Sequence, residues 1–165
     1  MAWPTWHISS SGMMIPSDNA EKSRRLVTET LLLKKHFPFL LPRMVGDRLM
    51  CRGNIQPSDT SATYRIDLVY KPWSAPEVRI LTPEIKPERH LHFYKDGTLC
   101  LYDWREQPWQ RHWHLTDTVI PWTAEWLLFY ELFLLTGKWL GNSAAHGTSK
   151  IAEPKNDIDA ATESQ

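Results

Sequence analysis

The sequence predicts one α+β domain, in which a first helix leads into an antiparallel meander, an irregular loop and a second, buried helix. Three patterns carry that expectation. Leu26, Thr30, Leu33 and Phe37 recur at helical spacing until Pro38. Leu49, Cys51, Gly53 and Ile55 alternate, as do Ala62, Tyr64, Ile66, Leu68 and Tyr70, with the turn-forming run Pro57-Ser-Asp-Thr-Ser61 between the two sets. Pro121 then opens a stretch, Trp122 to Leu135, that is apolar on most faces and is stopped by Gly137 and Gly141.

In chain order, residues 1–16 are apolar but aperiodic, with Pro4, Gly12 and Pro16, and read as an irregular N-terminal arm. Asp18 followed by Glu21 suits a helix N-cap with a carboxylate three residues on, and the helix should run for about twenty residues. Residues 38–42 read as a link to the meander. Glu77 to Thr82 reads as a third strand, bounded by Pro76 and Pro83, since proline cannot donate to a ladder. From Pro83 to about Thr118 the sequence is irregular and rich in His, Trp and charge, the kind of segment in which function concentrates when a scaffold holds it. After Gly141 it turns small and polar, with too few apolar groups to offset the entropy of ordering. The expected division is therefore an arm over 1–16, a domain over 17–141 and a disordered tail over 142–165.

Composition excludes some classes of function. The 165 residues suit one core. Nineteen Lys and Arg balance nineteen Asp and Glu, so no excess positive charge is present to neutralise a run of phosphates, and neither nucleic acid nor a membrane is expected as a partner. The start lacks a basic segment followed by an apolar one, and Cys51 and Cys100 are the only cysteines, which points to a reducing, cytoplasmic setting without structural disulfides. Val119 to Leu135 is broken by Pro121, Glu125 and Glu131 and reads as a core helix rather than a membrane span. Six of nine tryptophans follow residue 100, filling a core or forming a partner surface.

The chemically informative run is His90-Leu-His-Phe-Tyr-Lys-Asp-Gly-Thr-Leu-Cys-Leu101. Asp96-Gly97 favours a tight turn, because glycine accepts positive φ, and a turn there folds His90 and His92 back toward Cys100. A free thiol, with a pKa of about 8.5, is only slightly ionised at neutral pH, so acyl transfer depends on a donor for the developing oxyanion more than on a bulk base. A ring N–H of His92 is the candidate donor. No Gly-x-x-x-x-Gly-Lys phosphate loop or dinucleotide fingerprint accompanies these residues, and no cofactor is expected.

This run resembles the active-site segment of ubiquitin-conjugating enzymes, in which His-Pro-Asn is followed by a glycine and then by the catalytic Cys-Leu. His90, Gly97, Cys100 and Leu101 match; Leu91 and His92 replace the proline and the asparagine. The order of helix, meander and proline-flanked third strand fits as well, so the resemblance covers about Asp18 to Leu140. Asp117-Thr-Val-Ile-Pro-Trp-Thr-Ala-Glu-Trp-Leu-Leu-Phe-Tyr-Glu131 with Thr136-Gly-Lys-Trp-Leu-Gly141 is similar to the conjugating-enzyme proteins of type II CBASS, the cyclic-oligonucleotide anti-phage signalling systems. That resemblance implies a ubiquitin-conjugating-enzyme-like fold truncated after its second helix. It also implies a cysteine-dependent acyltransferase, with Cys100 as acyl carrier, His92 polarising the thioester carbonyl and His90 bracing the turn. The implied partner is a cGAS-like nucleotidyltransferase whose C-terminal carboxyl passes through the thioester and which the chain regulates or conjugates; either a separate ATP-dependent enzyme activates the acyl group or the chain belongs to a short system lacking that component.

Two other readings stand beside it. His90, His92, Cys100, His112 and His114 form a set of ligands that would suit zinc. Alternatively the chain is a non-catalytic adaptor that binds the nucleotidyltransferase through its Trp-rich face. Cys51, Trp122, Glu125, Trp126 and Glu131 read as core or helix-surface residues, and Asp103 and Asp117 take no assigned role.

Overall fold

The computed structural model describes residues 6–8, 14–87 and 91–141. The chain forms, in order, β1 (Trp6–Ile8), β2 (Met14–Pro16), α1 (Asp18–His36), β3 (Leu40–Val45), β4 (Arg48–Ile55), β5 (Tyr64–Tyr70), β6 (Glu77–Thr82) and α2 (Val119–Thr136). The fold is α+β: an N-terminal helix, a four-stranded antiparallel sheet in the order β3-β4-β5-β6, and a second helix. Residues 142–165, where the sequence suggested a tail, lie outside the described residues.

Three local expectations are corrected. The stretch read as an irregular arm contains an antiparallel pair, with Trp6 opposite Pro16 and Ile8 opposite Met14. Ser17 rather than Asp18 caps α1; its hydroxyl accepts the Ala20 N–H at 3.3 Å, while Asp18 and Glu21 sit in the first turn, where carboxylates complement the helix dipole. Residues read as a link form β3, which includes Pro42. The strand lies at the sheet's edge with β4 on one side only, so proline's missing N–H is tolerated there.

The meander divides inside from outside by its pleat. Leu49, Cys51 and Ile55 of β4, the even-numbered residues Tyr64, Ile66, Leu68 and Tyr70 of β5, and Val78 of β6 are buried. Against them pack Leu26 and Leu33 of α1 and Leu115, Val119, Ile120 and Leu127 from the C-terminal half. The alternate residues face water, where Arg52 pairs with Asp67 at 2.7 Å.

The second helix departs from the expectation of a largely buried element. Its core stripe is Val119, Ile120, Thr123, Trp126 and Leu127, whereas Leu134 and Leu135 near its end are 62% and 83% exposed. Length and apolarity alone would suit α2 to a membrane, yet this stripe is built into the core. Glu131 fastens it to the sheet, accepting from the Ser61 hydroxyl at 2.6 Å, the Ala62 N–H at 2.9 Å and the Tyr64 hydroxyl at 3.0 Å. Gly137, in the left-handed conformation, closes the helix by donating to the Phe133 carbonyl at 2.8 Å.

Among the described residues between β6 and α2 there is an isolated Phe93–Leu99 bridge but no regular ladder, and aromatic packing and a buried ionic cluster hold the segment instead. Trp113 meets Trp109 at 5.5 Å and Trp122 at 5.6 Å between ring centroids, and Tyr102 lies 5.3 Å from Trp122. Glu29 of α1, fully buried, accepts from Arg25 at 2.9 Å, contacts His114 Nδ1 at 2.7 Å and accepts the Leu115 N–H at 2.9 Å. Arg25 also donates to the Trp113 carbonyl. The first helix thus pins the loop that leads into the second.

Candidate active site

The geometry at Cys100 begins with the Asp96-Gly97 turn. Gly97 has φ of +81°, a conformation that costs a residue with a Cβ, and its N–H donates to the Tyr94 carbonyl at 3.0 Å. The Asp96 carboxylate accepts both the N–H and the hydroxyl of Thr98, at 3.1 and 2.6 Å, and pairs with Arg79 of β6 at 3.2 Å. The two arms then close on each other: Tyr94 N–H donates to the Thr98 carbonyl at 2.9 Å and Cys100 N–H to the His92 carbonyl at 2.8 Å. Leu99 N–H reaches the Val78 carbonyl at 2.8 Å, docking the hairpin on the sheet edge. The fold-back that Asp96-Gly97 predicted therefore brings His92 beside Cys100 through the backbone.

His92 itself has φ of +53°. Histidine and asparagine occupy this left-handed region more readily than most residues, which accounts for a histidine where the conjugating-enzyme pattern has asparagine. Its ring is 8% exposed and lies 5.2 Å from that of Trp139, which fixes the imidazole at the cleft wall. His90, the other predicted site histidine, lies outside the described residues.

Cys100 is 5% exposed, and its thiol is placed to donate weakly to the Tyr102 carbonyl at 3.7 Å. Burial pushes this thiol above its ordinary pKa and the nearby Asp103 charge adds to the rise, while a hydrogen bond from the Tyr94 hydroxyl opposes it. Burial, and then the bond to Cys100, in turn raise the Tyr94 phenol. The Cys100 thiol is thus held protonated beside a tyrosine.

His92 and Cys100 line one cleft of about 460 Å3. Asp103 and Glu106 border it from the loop; Trp122, Glu125, Trp126 and Phe129 border it from α2, and Trp139 closes one end. Sequence reasoning assigned Trp122 and Glu125 to core or helix surface, and both also form this wall. Their signal was legible, since residues 122, 125, 126 and 129 share one helical face. Tyr94 was missed although it stands two residues after His92, on the same arm and across the predicted turn from Cys100; its interaction with the thiol emerges only in the folded hairpin. Asp117, given no role from sequence, does not line the cleft.

The set read as zinc ligands is not gathered. His114 faces Glu29 of α1, His112 is exposed, and neither lines the cleft with His92 and Cys100. Among the described residues no group of three or more His, Cys, Asp or Glu side chains converges as a metal site requires. The arrangement suits covalent chemistry at a thiol: a nucleophile at the end of a rigid hairpin, an imidazole on the same wall and an open aromatic groove.

A family model described as Type II CBASS E2 protein matches residues 29–147. That span includes Glu29, the whole meander, the Cys100 hairpin and α2. A comparison with curated proteins gave no match.

Proposed function

The chain belongs to the Type II CBASS E2 protein family, matched over residues 29–147, and from that premise we propose that it is a cysteine-dependent acyltransferase carrying an acyl group on Cys100. Its ubiquitin-conjugating-like place within an anti-phage signalling system follows from the family. The covalent step is our reading, and the observation that carries it is the shared cleft of Cys100 and His92.

In the loading step the Cys100 sulfur attacks the carbonyl carbon of an activated acyl donor. A new S–C bond forms, the bond from carbon to the donor's leaving group breaks, and the thiol proton leaves with that group. In the transfer step an amine attacks the same carbon, the C–S bond breaks and Cys100 recovers a proton. Both steps pass through a tetrahedral oxyanion, which a donor hydrogen bond stabilises. A ring N–H of His92 takes that role, in the position the conjugating-enzyme pattern gives to asparagine. With its pKa raised, Cys100 gives up its proton only as it attacks, and an already activated acyl donor supplies the leaving group that carries that proton away. The donor is the C-terminal carboxyl of a cGAS-like nucleotidyltransferase in the cytoplasm, activated by a separate ATP-dependent enzyme.

Co-expression with the neighbouring nucleotidyltransferase tests this by denaturing gel and intact mass. Wild type should show an adduct that thiol reductant cleaves, Cys100→Ser an adduct that resists it, and Cys100→Ala none. Two proteins that co-purify with no adduct in any sample would make this chain a binding adaptor instead.

A further inference from the structure

The chain as a whole is electrically balanced, but the cleft is not. Among the described residues, every charged residue lining it is an acid, Asp103, Glu106 and Glu125, and no lysine or arginine lines it. Glu106 and Glu125 are exposed at the rim and Asp103 is half-buried nearer the thiol. Between them run aromatic faces, chiefly Trp122 and Phe129. Carboxylates interleaved with indole faces suit a cation twice over, by charge and by the ring quadrupole. A second feature is independent of charge. Trp126 is 4% exposed and lines the same cleft, and its indole N–H, like that of Trp139 beside it, has no hydrogen-bond acceptor among the described residues. Buried donors of this kind ordinarily find a partner, and a backbone carbonyl laid along the groove supplies one.

We propose that the groove beside Cys100 selects an extended peptide segment carrying a positive charge, its carbonyls facing the Trp126 and Trp139 N–H groups and its cationic side chain facing Glu106 and Glu125. This rests on the acyl-carrier reading of Cys100 and adds the chemistry of what that carrier accepts. The segment is the donor's C-terminal tail; the rival occupant of the acidic rim is the ammonium of the acceptor.

Synthetic peptide thioesters of mercaptoethanesulfonate separate them. Two pentapeptides, identical except for Arg or Glu shortly before the C-terminal glycine, are offered to the full chain. Loading exchanges the thioester onto Cys100 and releases the free small thiol, and intact mass reads the rate. Loaded protein is then offered lysine amide or uncharged hydroxylamine. If the donor tail is the occupant, the Arg peptide loads about tenfold faster, each rim carboxylate contributing about two- to fivefold as exposed ion pairs do. The preference then falls to near unity in the Glu106→Gln, Glu125→Gln double variant. Loading with no preference, when the double variant slows discharge to lysine amide and leaves hydroxylamine unaffected, overturns the selection of the donor tail and assigns the acidic rim to the acceptor. Equal loading of both peptides with unchanged discharge ratios overturns the charge selection and leaves the acyl carrier standing. Failure of Cys100 to load from any peptide, when iodoacetamide still modifies it, overturns the acyl carrier and this proposal with it.

Discussion

Cys51 and Cys100 are both free thiols and both nearly hidden from solvent, at 0% and 5% exposure, yet their surroundings have little in common. Cys51 sits in the middle of β4 between Pro42 and Leu68 on the neighbouring strands, its sulfur within the apolar face of the sheet. Burial there pushes its pKa up to about 12, the Asp67 charge adding to the rise, with nothing opposing it. Cys100 ends a hairpin, borders an open cleft and has a tyrosine hydroxyl bonded to its sulfur. The difference teaches that burial alone does not separate a structural thiol from a reactive one. A path for the electrophile and a polar group at the sulfur do.

The largest expected effect breaks the pair outright. Cys100→Ala should abolish every reductant-sensitive adduct, whereas Cys51→Ala should retain the adduct and lose only the stability that a cavity in the core costs, about 1–2 kcal/mol. Equal loss in both variants would mean that the chemistry does not reside at Cys100. Alkylation of the native protein is the next test. At pH 8 iodoacetamide should modify Cys100 roughly a hundredfold faster than Cys51, as their separation in access and thiolate fraction requires. Peptide mapping with time measures both rates in one experiment.

The same contrast extends to stability at alkaline pH. A thiol whose folded pKa lies above its unfolded value holds its proton longer in the native state. Its contribution is therefore complete below the ordinary thiol range and is lost as pH rises through that range toward about 12 for Cys51. Melting temperature should accordingly fall more steeply above pH 9 in the wild type than in Cys51→Val, measured with Cys100→Ala in both backgrounds, since Cys100 shifts in the same direction. Parallel curves would show that Cys51 does not set the alkaline limit.

A comparable effect on stability should come from the cluster that pins the loop before α2. Glu29→Ala leaves the Arg25 guanidinium, 11% exposed, without its carboxylate and removes the acceptor of the Leu115 N–H. Stranding a buried charge costs about 3–5 kcal/mol, which urea unfolding reads directly. Glu29→Gln, which keeps an acceptor, should cost less.

How much of this was legible in the sequence follows the same divide. Local signals were enough for most elements: alternation located β4 and β5, the flanking prolines located β6, and Pro121, an apolar run and Gly137 located α2 within a few residues. β3 was missed because Pro42 argues against a strand except at an edge, and edge position is a property of the sheet rather than of the segment. The Asp96-Gly97 turn announced the hairpin that carries Cys100, so Cys100 and His92 were legible as neighbours. The far wall was not. Trp122 and Glu125 show a helical face in the sequence, but whether that face meets the core or a cleft depends on where the loop before α2 is pinned, and that depends on Glu29, some ninety residues away in the chain. Long-range ionic contacts leave no period to read.

The smallest effect sharpens the comparison most, because it changes one atom beside one sulfur. Tyr94→Phe removes the hydroxyl that hydrogen-bonds Cys100 and leaves the ring in place. With the opposing bond gone, burial and the Asp103 charge act unchecked, and the Cys100 pKa should move further up, toward the behaviour of Cys51. The alkylation rate of Cys100 at pH 8 should then fall by about two- to tenfold, and its pH profile should shift to the alkaline side, while Cys51 is unaffected. Stability should change little, since a single neutral hydrogen bond is worth about 1 kcal/mol. An unchanged pH profile would mean that the Tyr94 hydroxyl does not tune the thiol, and the cleft alone would then distinguish the two cysteines. A shifted profile would locate the distinction at the sulfur itself.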